Sequence, residues 1–152
     1  MAAVYRASIE IEAPAEQVWA ILLDLDRYAE WNPFTPRLVT DRAIGSPIDI
    51  DVCFDGKPPI VQREIVRVWA PGEELRWNMT LGPRWLFRAE RWQRVEVLGP
   101  SRCRYVTEDA FAGLMSPILQ WAYGGRVQRG FDAVAKALEA RASAAMLDQT
   151  RM

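Results

Sequence analysis

The chain has 152 residues, half of them hydrophobic and 26% charged, the composition of one ordinary globular domain rather than a disordered or fibrous chain. Lysine plus arginine number 19 and aspartate plus glutamate 20, so the net charge of −1 makes no electrostatic case for nucleic acid or an anionic membrane. Histidine is absent, which removes serine–histidine and cysteine–histidine catalysis and histidine metal ligands together.

Cys53 and Cys103 lie far apart without CxxC spacing, so no zinc site or redox pair is expected, and a disulfide is allowed but not implied. The amino terminus shows no basic segment followed by an apolar one, and no apolar run is long enough to span a bilayer. A cytoplasmic protein with reduced thiols, no cofactor and no integral membrane association is the expectation.

In chain order, residues 4–11 alternate, with Tyr5, Ala7, Ile9 and Ile11 on one face of a strand. Pro14 suits a first helical position, and Val18, Trp19, Ile21, Leu22 and Leu25 follow at helical spacing. Asp24 to Glu30 reads as one more helical turn, and Trp31 to Pro36 as irregular because of its two prolines. From about 37 to 112 strands alternate with turn signals at Asp55-Gly56, Pro71-Gly72, Gly82-Pro83 and Gly99-Pro100, which predicts sequential antiparallel pairing. From Ser116 and Pro117 onward the pattern is helical. Val127, Phe131, Val134, Ala135, Leu138 and Ala142 form its apolar stripe, and Gly124-Gly125 predicts a kink. A single α+β domain over 1–152 results, with about 143–152 expected as a flexible tail.

Strand alternation also says which polar residues face inward. Gln62 and Glu64 share a face with Val66 and Val68, the opposite register placing Arg63, Ile65, Arg67 and Trp69 together instead; Arg91 and Gln93 lie with Phe87, Ala89, Val95 and Val97; Tyr105 and Thr107 lie with Cys103 and Phe111. A buried Glu64 and Arg91 need each other, water or a ligand, or else form a structural ion pair at an open end of the sheet. Of the seven tryptophans, Trp19 reads as core. Trp31, Trp77 and Trp121 are candidates to line one pocket, and Trp69, Trp85 and Trp92 an interface. Asp49, Asp51 and Asp55 lack a loop-type calcium pattern and read as a solvated face, so no metal is expected. The arginines at 84, 88, 94, 102 and 104 interleave with glutamates, so cross-strand pairing accounts for them.

The segments IEIEAPAEQVWAILLDLDRYAEWNPFTPRL at 9–38 and FAGLMSPILQWAYGGRVQRGFDAVAKALEARA at 111–142, with the Pro71 turn before Leu75 and Trp77, resemble the SRPBCC superfamily. The polyketide cyclase/dehydrase-like branch, related to START domains and the birch-pollen allergen, is the nearest in look. The resemblance implies the helix-grip fold: a seven-stranded antiparallel sheet curved around a long carboxyl-terminal helix, with two short helices after the first strand. It also implies a pocket between sheet and long helix, making Trp31, Glu64, Trp77, Arg91, Tyr105, Thr107 and Trp121 the substrate-binding candidates. No catalytic motif carries over. Many relatives show a histidine on the sixth strand where this chain offers Arg91, so their acid–base mechanisms do not transfer.

Three readings stay open. The first is a binder or carrier of a small hydrophobic molecule of lipid, polyketide or aromatic type, with Arg91 as polar anchor. The second is a cyclase or dehydratase with Glu64 as base and Arg91 or Tyr105 stabilising an oxyanion. The third is a protein-interaction module, as in activators of a chaperone ATPase, which predicts an exposed apolar patch and a small or collapsed cavity. Expected partners are thus a small hydrophobic ligand and no nucleic acid, with a homodimer allowed.

Overall fold

A computed structural model describes residues 3–151. Seven antiparallel strands form one sheet in the order β1-β7-β6-β5-β4-β3-β2. They are β1 (Ala3–Ile11), β2 (Arg37–Thr40), β3 (Pro47–Val52), β4 (Ile60–Ala70), β5 (Glu74–Thr80), β6 (Arg88–Gly99) and β7 (Arg102–Ala112). Helix α1 (Ala15–Leu23) and a 3-10 helix (Leu25–Glu30) follow β1, and α2 (Ser116–Thr150) closes the chain against β1, β7 and α1. This is the α+β helix-grip arrangement.

Each connection is short because the turn residues allow it. Gly56, Gly72 and Gly82 adopt positive φ at three successive hairpin corners, a conformation that costs glycine little. Pro14 sits one position before the helix it starts, with φ −61° and an extended ψ, and its carbonyl accepts the Gln17 and Val18 amides. The apolar stripe of α2 is buried as its spacing requires, from Val127 through Phe131, Val134, Ala135 and Leu138 to Ala142.

Four local expectations change. The helix runs unbroken through Gly124-Gly125, and Gly124 there admits a close approach: a Cβ at 124 would collide with the Tyr5 hydroxyl. It also continues through residues 143–150, where Met146 packs on the core and Gln17 donates a hydrogen bond to Gln149. A bulge between Val66 and Val68 turns the rest of β4 over. Val68 therefore pairs with outward Arg76, while Trp69 pairs with buried Leu75 and packs on the core. Val97 is exposed where the β6–β7 register breaks before Gly99.

On the outer face Arg94 pairs with Glu74, Arg102 with Glu10, and Arg104 with Glu10 and Glu96. Asp49 and Asp51 pair with Arg63 and Arg37, and Asp55 with Arg129 and Arg126, so the acidic trio is engaged by arginines. Arg84 and Arg88 make no ion pair among the described residues.

The helical glycines differ in what they permit. A Cβ at Gly130 would strike the Phe34 ring, which packs edge-on against Phe131. Gly125 is exposed and near only the movable end of Arg129. Gly130→Ala is expected to lower stability by about 1–3 kcal/mol through overpacking. Gly125→Ala should raise it by about 0.5–1 kcal/mol through helix propensity. Urea unfolding of the two variants measures both signs.

Candidate functional site

One rung of the sheet supplies the polar part of the site. Reading across the strands in register, Tyr5 stands beside Asp109, Asp109 beside Arg91, Arg91 beside Trp77, and Trp77 beside Val66. All point to the side that α2 covers, because residues paired across antiparallel strands share a face.

Between this part of the sheet and α2 lies a cavity of about 490 Å³. Small-molecule sites span roughly 300–1,000 Å³. Its walls are mostly apolar: Ile50, Val52 and Phe54 from β3 and the turn after it, Met79 from β5, Phe87 and Ala89 around the start of β6, Phe111 from β7, and Leu119, Val127 and Phe131 from α2. Glu64, Trp77, Arg91 and Asp109 bring the polar and aromatic groups into it.

Arg91 is 6% exposed, and among the described residues no carboxylate forms an ion pair with it. Its Nε donates to Thr107 Oγ1 at 3.2 Å, and its guanidinium lies 4.7 Å from the Phe131 ring centre and 5.6 Å from that of Trp77. Two aromatic faces thus stabilise a charge that sheet and helix jointly bury. Burial raises the Glu64 carboxyl to about 8, with the Asp109 charge adding and Arg91 opposing. Burial likewise raises Asp109 to about 7, Arg91 opposing and Glu90 adding. Asp109 Oδ1 and the Trp77 indole N–H are buried without hydrogen-bond partners. At neutral pH Glu64 stands mainly as the acid, so the cavity keeps the positive charge of Arg91 with at most partial compensation.

The sequence candidates separate into groups. Glu64, Trp77 and Arg91 line the cavity. Thr107 and Tyr105 lie on the next two rungs, where α1 packs over β6 and β7, and both are fully buried beside the cavity rather than in its wall. Thr107 holds Arg91, while the Tyr105 hydroxyl donates to Gln93 Oε1 and is pushed above its ordinary value by burial. Trp31 lines a separate groove of about 270 Å³ between α1 and the far end of α2, with Gln17, Ile21 and Arg141. Trp121 is 89% exposed on the outward side of α2, and not in a pocket, because Leu119 and Tyr123 occupy the inward positions. Asp109 is the residue that sequence reasoning passed over. The alternation that turns Thr107 and Phe111 inward turns Asp109 inward as well.

The family profile described as polyketide cyclase / dehydrase and lipid transport matches residues 2–142. The chain belongs to that family. Membership supports a ligand-binding or cyclase role. A search of curated protein sequences finds no match. Among solved structures, the chain is similar to the Zhui aromatase/cyclase from Streptomyces sp. R1128, with 16% identity over 94% of each chain and a TM-score of 0.75. It is also similar to a START superfamily protein from Mycobacterium smegmatis, at 22% identity over 92% of this chain and 97% of that one, TM-score 0.65. A third similar structure is norcoclaurine synthase from Thalictrum flavum, bound to dopamine and hydroxybenzaldehyde. It shows 13% identity over 92% of this chain and 86% of that one, TM-score 0.67. At such identities the likeness is one of fold.

The two raised carboxyls make stability depend on pH with a definite sign. A carboxyl with a folded pKa above its unfolded value binds more protons folded than unfolded, so the protein loses stability as pH rises between the two values. For Glu64 that window runs from the model-peptide value of 4.5 to about 8. Unfolding midpoints should therefore fall between pH 5 and 8. Glu64→Gln should flatten part of that fall and Asp109→Asn another part. An unchanged slope in both variants would show that neither carboxyl titrates above its ordinary range.

Proposed function

We propose that the protein binds a small, largely apolar molecule of polyketide, aromatic or lipid type, and that Arg91 anchors an oxygen function of that molecule. The carrying observation is the buried guanidinium at the cavity wall, held by Thr107, Trp77 and Phe131 but neutralised by no ion pair among the described residues. A buried cation costs several kcal/mol unless something offsets it, and a carboxylate, phenolate or enolate oxygen arriving in the cavity would do so. Glu64, mainly protonated at neutral pH, adds a hydrogen-bond donor without adding negative charge. The apolar walls then favour the rest of the ligand by area.

A cyclase or dehydratase activity is the second reading, favoured by the two carboxyls raised close to neutrality near Arg91. The raised value makes Glu64 a proton donor at pH 7 and a base only as pH approaches 8. Donation to a departing hydroxyl, with Arg91 stabilising an enolate, suits that state. The protein-interaction reading expects a collapsed cavity, and the open one argues against it.

Titration with naphthoate and with naphthalene, followed by tryptophan fluorescence, tests the anchor. Arg91→Met keeps a long side chain against Phe131 and removes the charge. Naphthoate binding should weaken by roughly tenfold to a hundredfold, from loss of a charge-assisted hydrogen bond, while naphthalene binding barely changes. Equal naphthoate affinity in the variant would refute the anchoring role. Glu64→Gln should retain naphthoate; if a cyclised or dehydrated product is found, the same variant should lose turnover while keeping affinity.

A further inference from the structure

The cavity opens through a rim that is largely apolar, with Arg63 and Thr80 as exposed polar members of its lining. Ile60 and Val61 of β4, Leu81 after β5 and Tyr123 of α2 both line the cavity and face solvent. Next to them the outward side of the start of α2 carries Ile118 and Trp121, preceded by Leu114, which is 73% exposed. The Leu114 amide donates to the Trp85 carbonyl at 2.9 Å, which ties the β5–β6 loop to the start of the helix, and Trp85 is itself 65% exposed. Single exposed apolar side chains are normal, but a contiguous group of this kind marks a contact surface.

The charge around that rim is one-sided. Two of its segments, residues 80–89 and 113–126, contain no aspartate or glutamate and carry Arg84, Arg88 and Arg126; in the third, residues 53–63, the one acid, Asp55, is engaged by Arg126 and Arg129. Arg126 shares Asp55 with Arg129, but Arg84 and Arg88 make no ion pair among the described residues. The arginines at 94, 102 and 104, by contrast, are paired. The net charge of −1 conceals this, because the compensating carboxylates sit elsewhere.

We propose that the rim docks on the surface of an anionic lipid bilayer. Trp85, Leu114, Ile118 and Trp121 enter the interfacial region and Arg84 and Arg88 meet the lipid phosphates. The cavity mouth then faces the bilayer, and an apolar ligand passes between lipid and protein without crossing water. This last step rests on the reading that the cavity holds such a ligand. No helix among the described residues is long and apolar enough to cross a membrane, so the contact is interfacial. A second copy of the chain fits the rim less well. A two-fold contact through this face sets two like-charged rims against each other, with Arg84 and Arg88 on both sides and no acid in residues 80–89 or 113–126 of either copy.

Co-sedimentation of the full chain with vesicles of phosphatidylcholine plus phosphatidylglycerol tests the docking. Binding is expected, with a blue shift of tryptophan emission and weakening by salt. Vesicles of phosphatidylcholine alone should bind distinctly less. The double variant Trp85→Ser/Trp121→Ser should lose about tenfold or more in partitioning, because two interfacial anchors are gone. Arg84→Glu/Arg88→Glu should abolish the preference for anionic lipid. All four positions are at least partly exposed, and circular dichroism checks that each variant stays folded. No vesicle binding at low salt overturns the proposal, as does equal binding by the tryptophan variant. So does a dimer in sedimentation velocity that dissociates in the tryptophan variant. Naphthoate binding without vesicles keeps the two ideas apart: its loss in the native chain would refute the cavity reading alone, and loss of vesicle binding with naphthoate retained would refute docking alone.

Discussion

Arg91 needs both layers of the molecule to be where it is. Its backbone belongs to the middle of the sheet, yet its charge is tolerated only because Thr107 holds its Nε from the adjacent strand and Phe131 of α2 closes over it. Burial strengthens every electrostatic interaction the guanidinium makes, including its pull on Glu64 and Asp109. In both of those carboxyls, however, desolvation outweighs that pull, and they sit above their ordinary values. Two raised carboxyls and one buried cation thus share one apolar chamber.

The chamber exists because α1 fills the space between α2 and the sheet at one end of the molecule. Toward Tyr105 and Thr107 the inner face is covered by α1, and side chains such as Trp19, Leu22 and Leu138 fill the space. Toward Phe111, Ala89 and Met79 no second helix intervenes, and the space remains a cavity. Glycines set the helix height. Gly124 and Gly130 let Tyr5 and Phe34 reach the helix backbone, so α2 seats low at these two points and spans the cavity beside them.

Much of the fold was legible because the signals are local. Alternation in 86–97 and 101–111 named the buried side of β6 and β7, and turn residues marked the corners. The site was legible where it depended on that same alternation, as with Glu64, Trp77 and Arg91, and Asp109 could have been read by the same rule. The failures have physical causes. One extra residue in β4 reversed the facing of Val68 and Trp69, and a pattern of period two carries no warning of a bulge. The glycine pair read as a kink serves a tertiary contact that helical spacing does not reveal.

From its sequence alone the protein has its strand and helix order, the inward parity of its strands apart from the end of β4 and Val97, the buried stripe of α2, and the absence of histidine chemistry. These follow from short-range periodicity and from composition, which are independent of how the layers meet. Only the tertiary structure decided which inward polar groups face a cavity and which are sealed beneath α1. It also turned Trp121 outward, gave Trp31 to a different groove, and left Arg84 and Arg88 beside the cavity mouth with no ion pair among the described residues. Each depends on where one element comes to rest on another, a matter of long-range packing that residues near in sequence do not encode.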